Sequence, residues 1–338
     1  MNFCQKVTCR TPTGFWINNP TLEEIGLSVS EGISNCTTNP AYCAALIKNE
    51  PGYLREVTDS VIAGEKNDDI AADLIYQKAV GRIMDRFAGI GYVTAQPDPR
   101  QDTDADLIVA AVDRHRKLGP NYMAKIPVTA AGAKAIETVL KKGVPVCATE
   151  VFSVSQALYV CELHKRACEE TGKHVPMYVT HITGIFDEYL TRYARLHNIE
   201  ISPELLNRAG AAAGRKQYHA LKNRGYKVRM LGGGARGTRH FTEFLGGAMD
   251  VTVNWGTFAE LRAITGEPEN RIDAETPGEA VAELCSKFED FGKAYEDNGL
   301  APEEFEDFPP VRLFRNNFLE GYYRLLAEIS ARRALCLC

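Results

Sequence analysis

Residues 122–150 read YMAKIPVTAAGAKAIETVLKKGVPVCATE. A short apolar run, Tyr122–Ile126, passes through Thr129 into an amphipathic stretch, Ala131–Lys142, which stops at Gly143 before a second apolar run, Val144–Glu150. An apolar run too short for a helix, a few helical turns and another such run make a β-α-β unit, which joins parallel strands. The alternation continues in both directions. Strands are expected at Phe15–Asn18, Ile33–Cys36, Gly91–Gln96, Tyr122–Ile126, Val144–Glu150, Met177–His181, Lys227–Leu231 and Val251–Asn254. Amphipathic helices are expected between them, among them Ile70–Phe87, Ala105–Lys117 and Ser155–Thr171. Eight strands with helical crossovers favour a closed α/β (β/α)8 TIM barrel over an open doubly wound sheet.

Two stretches exceed the repeat. Phe186–Arg224 has room for two helices, and from about Gly266 a polar linker leads to helical pattern at Pro277–Tyr295, a Pro-rich turn at Phe308-Pro309-Pro310 and a helix through Leu313–Arg333. We read residues 1–265 as the barrel and 266–338 as a helical C-terminal extension packed on it.

Composition narrows the function. The 338 residues carry 39 Lys+Arg against 44 Asp+Glu, a net charge of −5, which argues against a nucleic-acid footprint. No apolar run approaches the ~18 residues of a membrane span, and the N-terminal MNFCQKVTCRTPTGF lacks a signal-peptide core. Ten cysteines without a C-x-x-C then read as reduced thiols, and the expected location is cytoplasmic. The seven histidines show no H-x-x-x-H pair. No metal and no cofactor is therefore expected. The acidic run Asp98–Asp106 reads as a loop and a helix N-terminus.

In such a barrel the site lies where the strands end. Period two puts Met123 with Lys125, Thr94 with Gln96, Cys147 with Thr149, and Met177, Val179 and His181 together on one face of their strands. If all these faces point inward, polar groups converge at the mouth of an apolar barrel. Lys125 stands out: apolar neighbours in a strand buried on both sides disfavour its ammonium and free the amine to attack a ketone carbon. Position alone equally fits a lysine that snorkels to the strand end or pairs with Glu150. After the seventh strand, Gly232-Gly233-Gly234 followed by Arg236, Arg239 and His240 suits an anion, although a flexible turn reads the same way.

These residues, taken in order, resemble the transaldolase family. Cys36-Thr37-Thr38-Asn39-Pro40 is similar to the family's TTNP after the second strand. Ala124-Lys125-Ile126-Pro127-Val128-Thr129, Gly143 to Thr149, Val151-Phe152-Ser153 and Gln156-Ala157 follow in the family's order and spacing, and the likeness covers roughly residues 14–265. It implies a class I Schiff-base enzyme, with Lys125 forming the imine, that moves a dihydroxyacetone unit between sugar phosphates or releases it. It implies no cofactor, a small-molecule sugar or sugar phosphate as partner, a place in pentose phosphate carbohydrate metabolism, and leaves homo-oligomerisation open. There are departures from the pattern. The family's acid/base aspartate on strand one matches Asn18, and its water-holding glutamate on strand three matches Gln96, a glutamine also found in the fructose-6-phosphate aldolase branch. Gly184 falls where an arginine grips phosphate, His181 matches an aromatic residue, and the serine and basic residue of strand seven match Gly234 or its neighbour and Arg236.

With the strand-one carboxylate replaced by an amide, His181 is the expected proton carrier, working through a water positioned by Gln96 and Thr149. Asn18 and Asn39 are expected to orient substrate hydroxyls, and Gly233, Gly234, Arg236 and Arg239 to hold phosphate. Glu150, of opposite parity to Thr149, is expected to face the helices. Two alternatives stand beside aldol chemistry: a Schiff-base dehydration or isomerisation of a keto sugar, and a non-catalytic relative that binds a sugar phosphate.

Overall fold

The computed structural model describes residues 1–336. Eight parallel strands close into a barrel in chain order: β1 (Gly14–Asn18), β2 (Asn35–Thr37), β3 (Val93–Ala95), β4 (Tyr122–Pro127), β5 (Val146–Thr149), β6 (Met177–Ile182), β7 (Arg229–Gly233) and β8 (Asp250–Val253). Each strand overlaps the run expected for it, with ends shifted by at most two residues. The long segment between β6 and β7 folds as two helices, Thr183–Leu196 and Pro203–Asn223. Beyond β8, helices Gly278–Lys287 and Glu289–Tyr295 precede a long C-terminal helix, Pro309–Cys336. The two prolines read as a turn open that helix instead, because its first turn needs no N–H donors and favours their fixed φ. The composition also concealed an N-terminal helix, Phe3–Arg10, held by an Asn2/Gln5 capping box.

The register decides what faces the lumen. Met123 pairs with Thr94, Lys125 with Cys147 and Cys147 with Tyr178. Leu231 pairs with Asp250, and Trp16 with Thr252. Neighbours in register on parallel strands share a face, so these side chains form an inner set. Its lower layer is apolar: Trp16, Met123, Cys147 and Leu231 cluster with Tyr92 and Tyr178. Trp16 meets Tyr178 edge-on at 4.8 Å between ring centres and donates its indole N–H to Asp250 at 3.0 Å, and Arg229 pairs with that carboxylate at 2.6 Å. Gly14 has no side chain because Asp250 lies where its Cβ would stand, 2.2 Å away.

One step of period two above this plug, the inner face turns polar. Trp16 is followed by Asn18, Met123 by Lys125, Cys147 by Thr149, Tyr178 by Thr180, Leu231 by Gly233 and Asp250 by Thr252. The plug therefore sets the depth of the site, and the strand ends supply its walls.

The C-terminal helix lies across this mouth. Arg315 donates to Pro99 O at 3.2 Å near its start, and Arg333 binds Asp68 at 2.7 Å and Glu65 O at 2.8 Å near its end. Between them, Gly321 packs directly on Ala41, just after the Asn39-Pro40 turn; a Cβ there would lie 2.5 Å from Ala41 Cβ. Gly321→Val should therefore lift the helix from the mouth. Overpacking of this kind costs about 1–3 kcal/mol, measurable as a lower urea midpoint with an unchanged m-value.

Candidate active site

Lys125 sits on β4 with a fractional exposure of 6%. Its Nζ donates to Thr38 O at 3.1 Å and lies 5.7 Å from the centre of the Phe318 ring, on the C-terminal helix. Burial lowers its pKa below the ordinary lysine value; the nearby Cys147, Glu150 and Cys36 act in the opposite direction. Burial thus disfavours the ammonium form beneath an aromatic roof.

The Thr37–Pro40 segment is fixed by hydrogen bonds that the sequence does not announce. Thr38 Oγ1 bonds Thr94 O at 2.6 Å and the Tyr76 hydroxyl at 2.8 Å, and Thr94 Oγ1 accepts from Thr38 N at 3.1 Å. That rigidity places the Thr38 carbonyl over Lys125. Asn39 accepts from Ala41 N at 3.0 Å, closing the turn. The β5 turn is fixed equally firmly. Ser153 caps the next helix, while Gln156 accepts from Phe152 N at 3.0 Å and donates to Val128 O at 3.0 Å.

Above Lys125 opens a cavity of about 410 Å³ walled by Asn18, Asn39, Thr149, Thr180, Thr252 and Asn254, with Phe314, Asn317 and Phe318 of the C-terminal helix above. Asn18 Oδ1 accepts from Thr37 Oγ1 at 3.0 Å, and Thr37 and Thr252 share a hydroxyl hydrogen bond of 2.6 Å. Gly233, Gly234, Arg236 and Glu188 form the far wall. Arg236 pairs with Glu188 at 3.2 Å, and Glu188 also pairs with Arg192.

Three expected site residues lie elsewhere. His181 faces outward: its neighbour Thr180 takes the lumen side, and the ring packs against helix Pro203–Asn223. There Nε2 meets Gly210 O at 2.9 Å and Nδ1 meets Gln217 Oε1 at 3.1 Å. Burial pushes its pKa down to about 4. Both nitrogens are engaged and the ring is off the cavity, so it is not placed to carry protons for a substrate there. Arg239 turns away as well, to Asp187 at 3.2 Å. Asp187 also meets His240 at 3.0 Å and accepts from Gly210 N at 2.7 Å, bracing the glycine loop from behind. Gln96 is not on the mouth cavity but on the wall of a second cavity of about 410 Å³, between helix Asp68–Arg86 and the C-terminal helix. Gly184 has no side chain because the β7 loop packs on it, with Gly234 O 2.4 Å from where its Cβ would be.

Glu150 stays off the mouth cavity. β5 ends at Thr149, and Glu150 takes a left-handed backbone (φ 59°), so the parity of the strand no longer governs its side chain. It is fully buried, and Oε1 accepts from Gln96 Nε2 at 3.0 Å. Burial raises its pKa to about 7, against the pull of Gln96, Lys125 and Arg315. Asp102, also fully buried, is pushed up by burial and by the charge of Glu150, with Arg315 opposing at 3.9 Å. The remaining acidic run is ordinary: Asp98 and Asp104 cap the turns that follow them. The histidines are not all scattered, either. Ligating atoms of His164, Cys168 and His174 lie within 4.8 Å of one another, at the end of the barrel opposite the mouth.

The buried His181 makes a pH prediction. Its folded pKa of about 4 lies below the ordinary 6.5, so its stabilising contribution is complete above pH 6.5 and is lost as pH falls toward 4. The shift corresponds to about 3 kcal/mol. Chemical denaturation of His181→Gln should show a shallower loss of stability than the native chain between pH 6.5 and 4.

Known proteins were compared with this geometry in hand. The family model described as Transaldolase/Fructose-6-phosphate aldolase matches residues 15–307. A transaldolase of Saccharopolyspora erythraea is 29% identical over 225 residues, covering 61% of this chain and 59% of that protein. A transaldolase of Campylobacter jejuni is 30% identical over 150 residues, 42% of this chain and 46% of that protein. With a transaldolase of Nostoc the identity is 27% over 319 residues, 88% of this chain and 89% of that protein. The first two alignments thus span about half of their relatives' length and the third most of it. A match across nearly the whole barrel, with a lysine buried at the end of β4 under a Thr-Thr-Asn-Pro turn, makes this chain a member of the transaldolase/fructose-6-phosphate aldolase family.

Proposed function

We propose that this protein is a transaldolase-like enzyme that cleaves or transfers a three-carbon unit of a ketose through an imine on Lys125. The buried amine at the floor of the mouth cavity carries the reading. Imine formation needs an unprotonated nitrogen, and loss of solvation shifts Lys125 toward that form. The neutral amine adds to the ketone carbon, and water leaves to give the iminium. The iminium then draws the electron pair of the bond between its α and β carbons as the β-hydroxyl gives up its proton. An aldehyde departs, an enamine of the three-carbon ketone stays on the enzyme, and this enamine adds to a second aldehyde or is protonated and released by hydrolysis.

The walls suit a polyol. Asn18, Asn39, Asn254 and Asn317 offer amides, and Thr37, Thr149, Thr180 and Thr252 offer hydroxyls, each able to pair with sugar hydroxyls from its own strand end or helix. Among these, Thr149 and Thr180 have buried hydroxyls without a hydrogen-bond partner. The site residues are thus proposed to be Lys125 as nucleophile, with Asn18, Asn39 and Thr149 positioning substrate, and Gly233, Gly234 and Arg236 as the anion end. Expected partners are sugars or sugar phosphates.

Borohydride with a ketose should add the ketose mass to the native chain and not to Lys125→Met, which should keep its fold and lose turnover. Mass addition that persists in Lys125→Met would reject the nucleophile. The anion end gives a second prediction. Glu188 competes with phosphate for Arg236, so Glu188→Gln should lower KM for a ketose phosphate. Half-exposed ion pairs are worth up to about 1 kcal/mol, which sets a ceiling of roughly fivefold. Arg236→Ala should raise that KM by about tenfold or more while leaving an unphosphorylated ketose unaffected.

A further inference from the structure

Carbon–carbon cleavage through an imine requires a group that accepts a proton from the hydroxyl whose carbon becomes the aldehyde. The mouth cavity is lined by amides, hydroxyls, Lys125 and Arg236, and by one carboxylate, Glu188, which is committed to two arginines. Amides and hydroxyls do not accept protons near neutrality. Behind this lining, Glu150 holds a buried carboxylate oxygen that has no partner among the described residues.

Glu150 follows Thr149 in the chain, and Thr149 lines the cavity. Gln96 follows β3, whose register sets Ala95 beside Ala124, so its place along the barrel is beside Lys125. The Gln96–Glu150 hydrogen bond therefore joins the ends of β3 and β5 across β4, the strand that carries Lys125. Three buried oxygens of this group have no partner among the described residues: Glu150 Oε2, Gln96 Oε1 and Thr149 Oγ1. Buried acceptors in such a set are what an ordered water satisfies, with two to four polar partners.

We propose that Glu150 is the acid–base group of this site, exchanging protons with the substrate through a water held by Gln96 and Thr149. The inference rests on the imine chemistry proposed above. As the carbon–carbon bond breaks, its electron pair moves toward the iminium nitrogen. The hydroxyl proton passes to the water, and the water passes one to Glu150, which becomes the carboxylic acid. When the enamine adds to an acceptor aldehyde, the same proton returns to the new alkoxide oxygen. Glu150 acts through the water and is a positioning residue in that sense. The charged groups around it are Lys125 on β4, Asp102 in the turn after β3, Asp98 beside Asp102, and Arg315 on the C-terminal helix. Burial outweighs the two cations, so the carboxyl titrates near 7, where a proton carrier is most effective.

The test uses the full chain, a ketose donor and an acceptor aldehyde. In Glu150→Gln, kcat should fall by about 10²–10⁴, while borohydride still traps the ketose on Lys125. The native kcat/KM should rise with pH to a plateau above about 7, because the base must be ionised, and this limb should vanish from the residual activity of the variant. Moving the carboxylate across the pair, in Gln96→Glu/Glu150→Gln, should restore at least tenfold and bring a limb back; this variant also carries the test if Glu150→Gln does not fold. A Glu150→Gln enzyme with native kcat and an unchanged limb overturns the assignment. Absence of trapping in the native chain overturns the imine reading, and the role of Glu150 with it.

Discussion

The exclusion of water from one amine organises this molecule. Lys125 stands on an apolar plug of Trp16, Met123, Cys147 and Leu231, beneath the Phe318 ring, with a single hydrogen bond to a backbone carbonyl. An ammonium in that setting has lost most of its hydration, so the neutral form gains. Everything that shapes the mouth protects this condition. The plug sets the depth, the Tyr76–Thr38–Thr94 bonds hold the covering carbonyl in place, and the C-terminal helix closes the top.

Charge is arranged around the amine in two separate shells. Around the mouth cavity the near walls are neutral, and among the described residues its one carboxylate, Glu188, is tied to arginines at the far end. Behind the strand ends, Glu150 and Asp102 share a buried compartment with Arg315. Two buried carboxyls that feel each other's charge do not both ionise readily, and burial pushes both up from the ordinary carboxylate range. Strand one contributes an amide, Asn18, to the cavity wall, and the buried carboxyl Glu150 follows β5.

The C-terminal helix couples stability to the site. It contributes Phe314, Asn317 and Phe318 to the cavity, Arg315 to the carboxyl compartment, and Gly321 to the close contact on Ala41. Its distal end is held by Asp59, Asp68 and Glu65 through Arg332 and Arg333. Loosening that end would admit water to Lys125 without touching any group in the cavity.

The eight strands, the barrel order and Lys125 at the end of β4 were all legible in the sequence. Strand length, helical period and the apolar context of a lone lysine are local properties, and local patterns record them. The Thr37–Pro40 and Ser153–Gln156 motifs were visible as patterns, but their purpose, holding a carbonyl over Lys125 and locking the β5 turn, emerged only from hydrogen bonds to Tyr76, Thr94 and Val128. His181 shows the limit of parity: alternation separates two faces of a strand, and only pairing with Cys147 and Tyr178 next door says which face is inside. Glu150 shows a second limit, because one left-handed residue ends the alternation, and parity could not tell that its carboxyl is buried against Gln96. Glu188, Phe318 and Arg315 reach the site from far along the chain, and no spacing rule connects them to Lys125. The sequence by itself thus determined the barrel and the lysine buried at the end of β4, since both follow from short-range order. The tertiary structure alone decided which polar groups face the amine and which lie behind it, since barrel closure and helix docking set those distances.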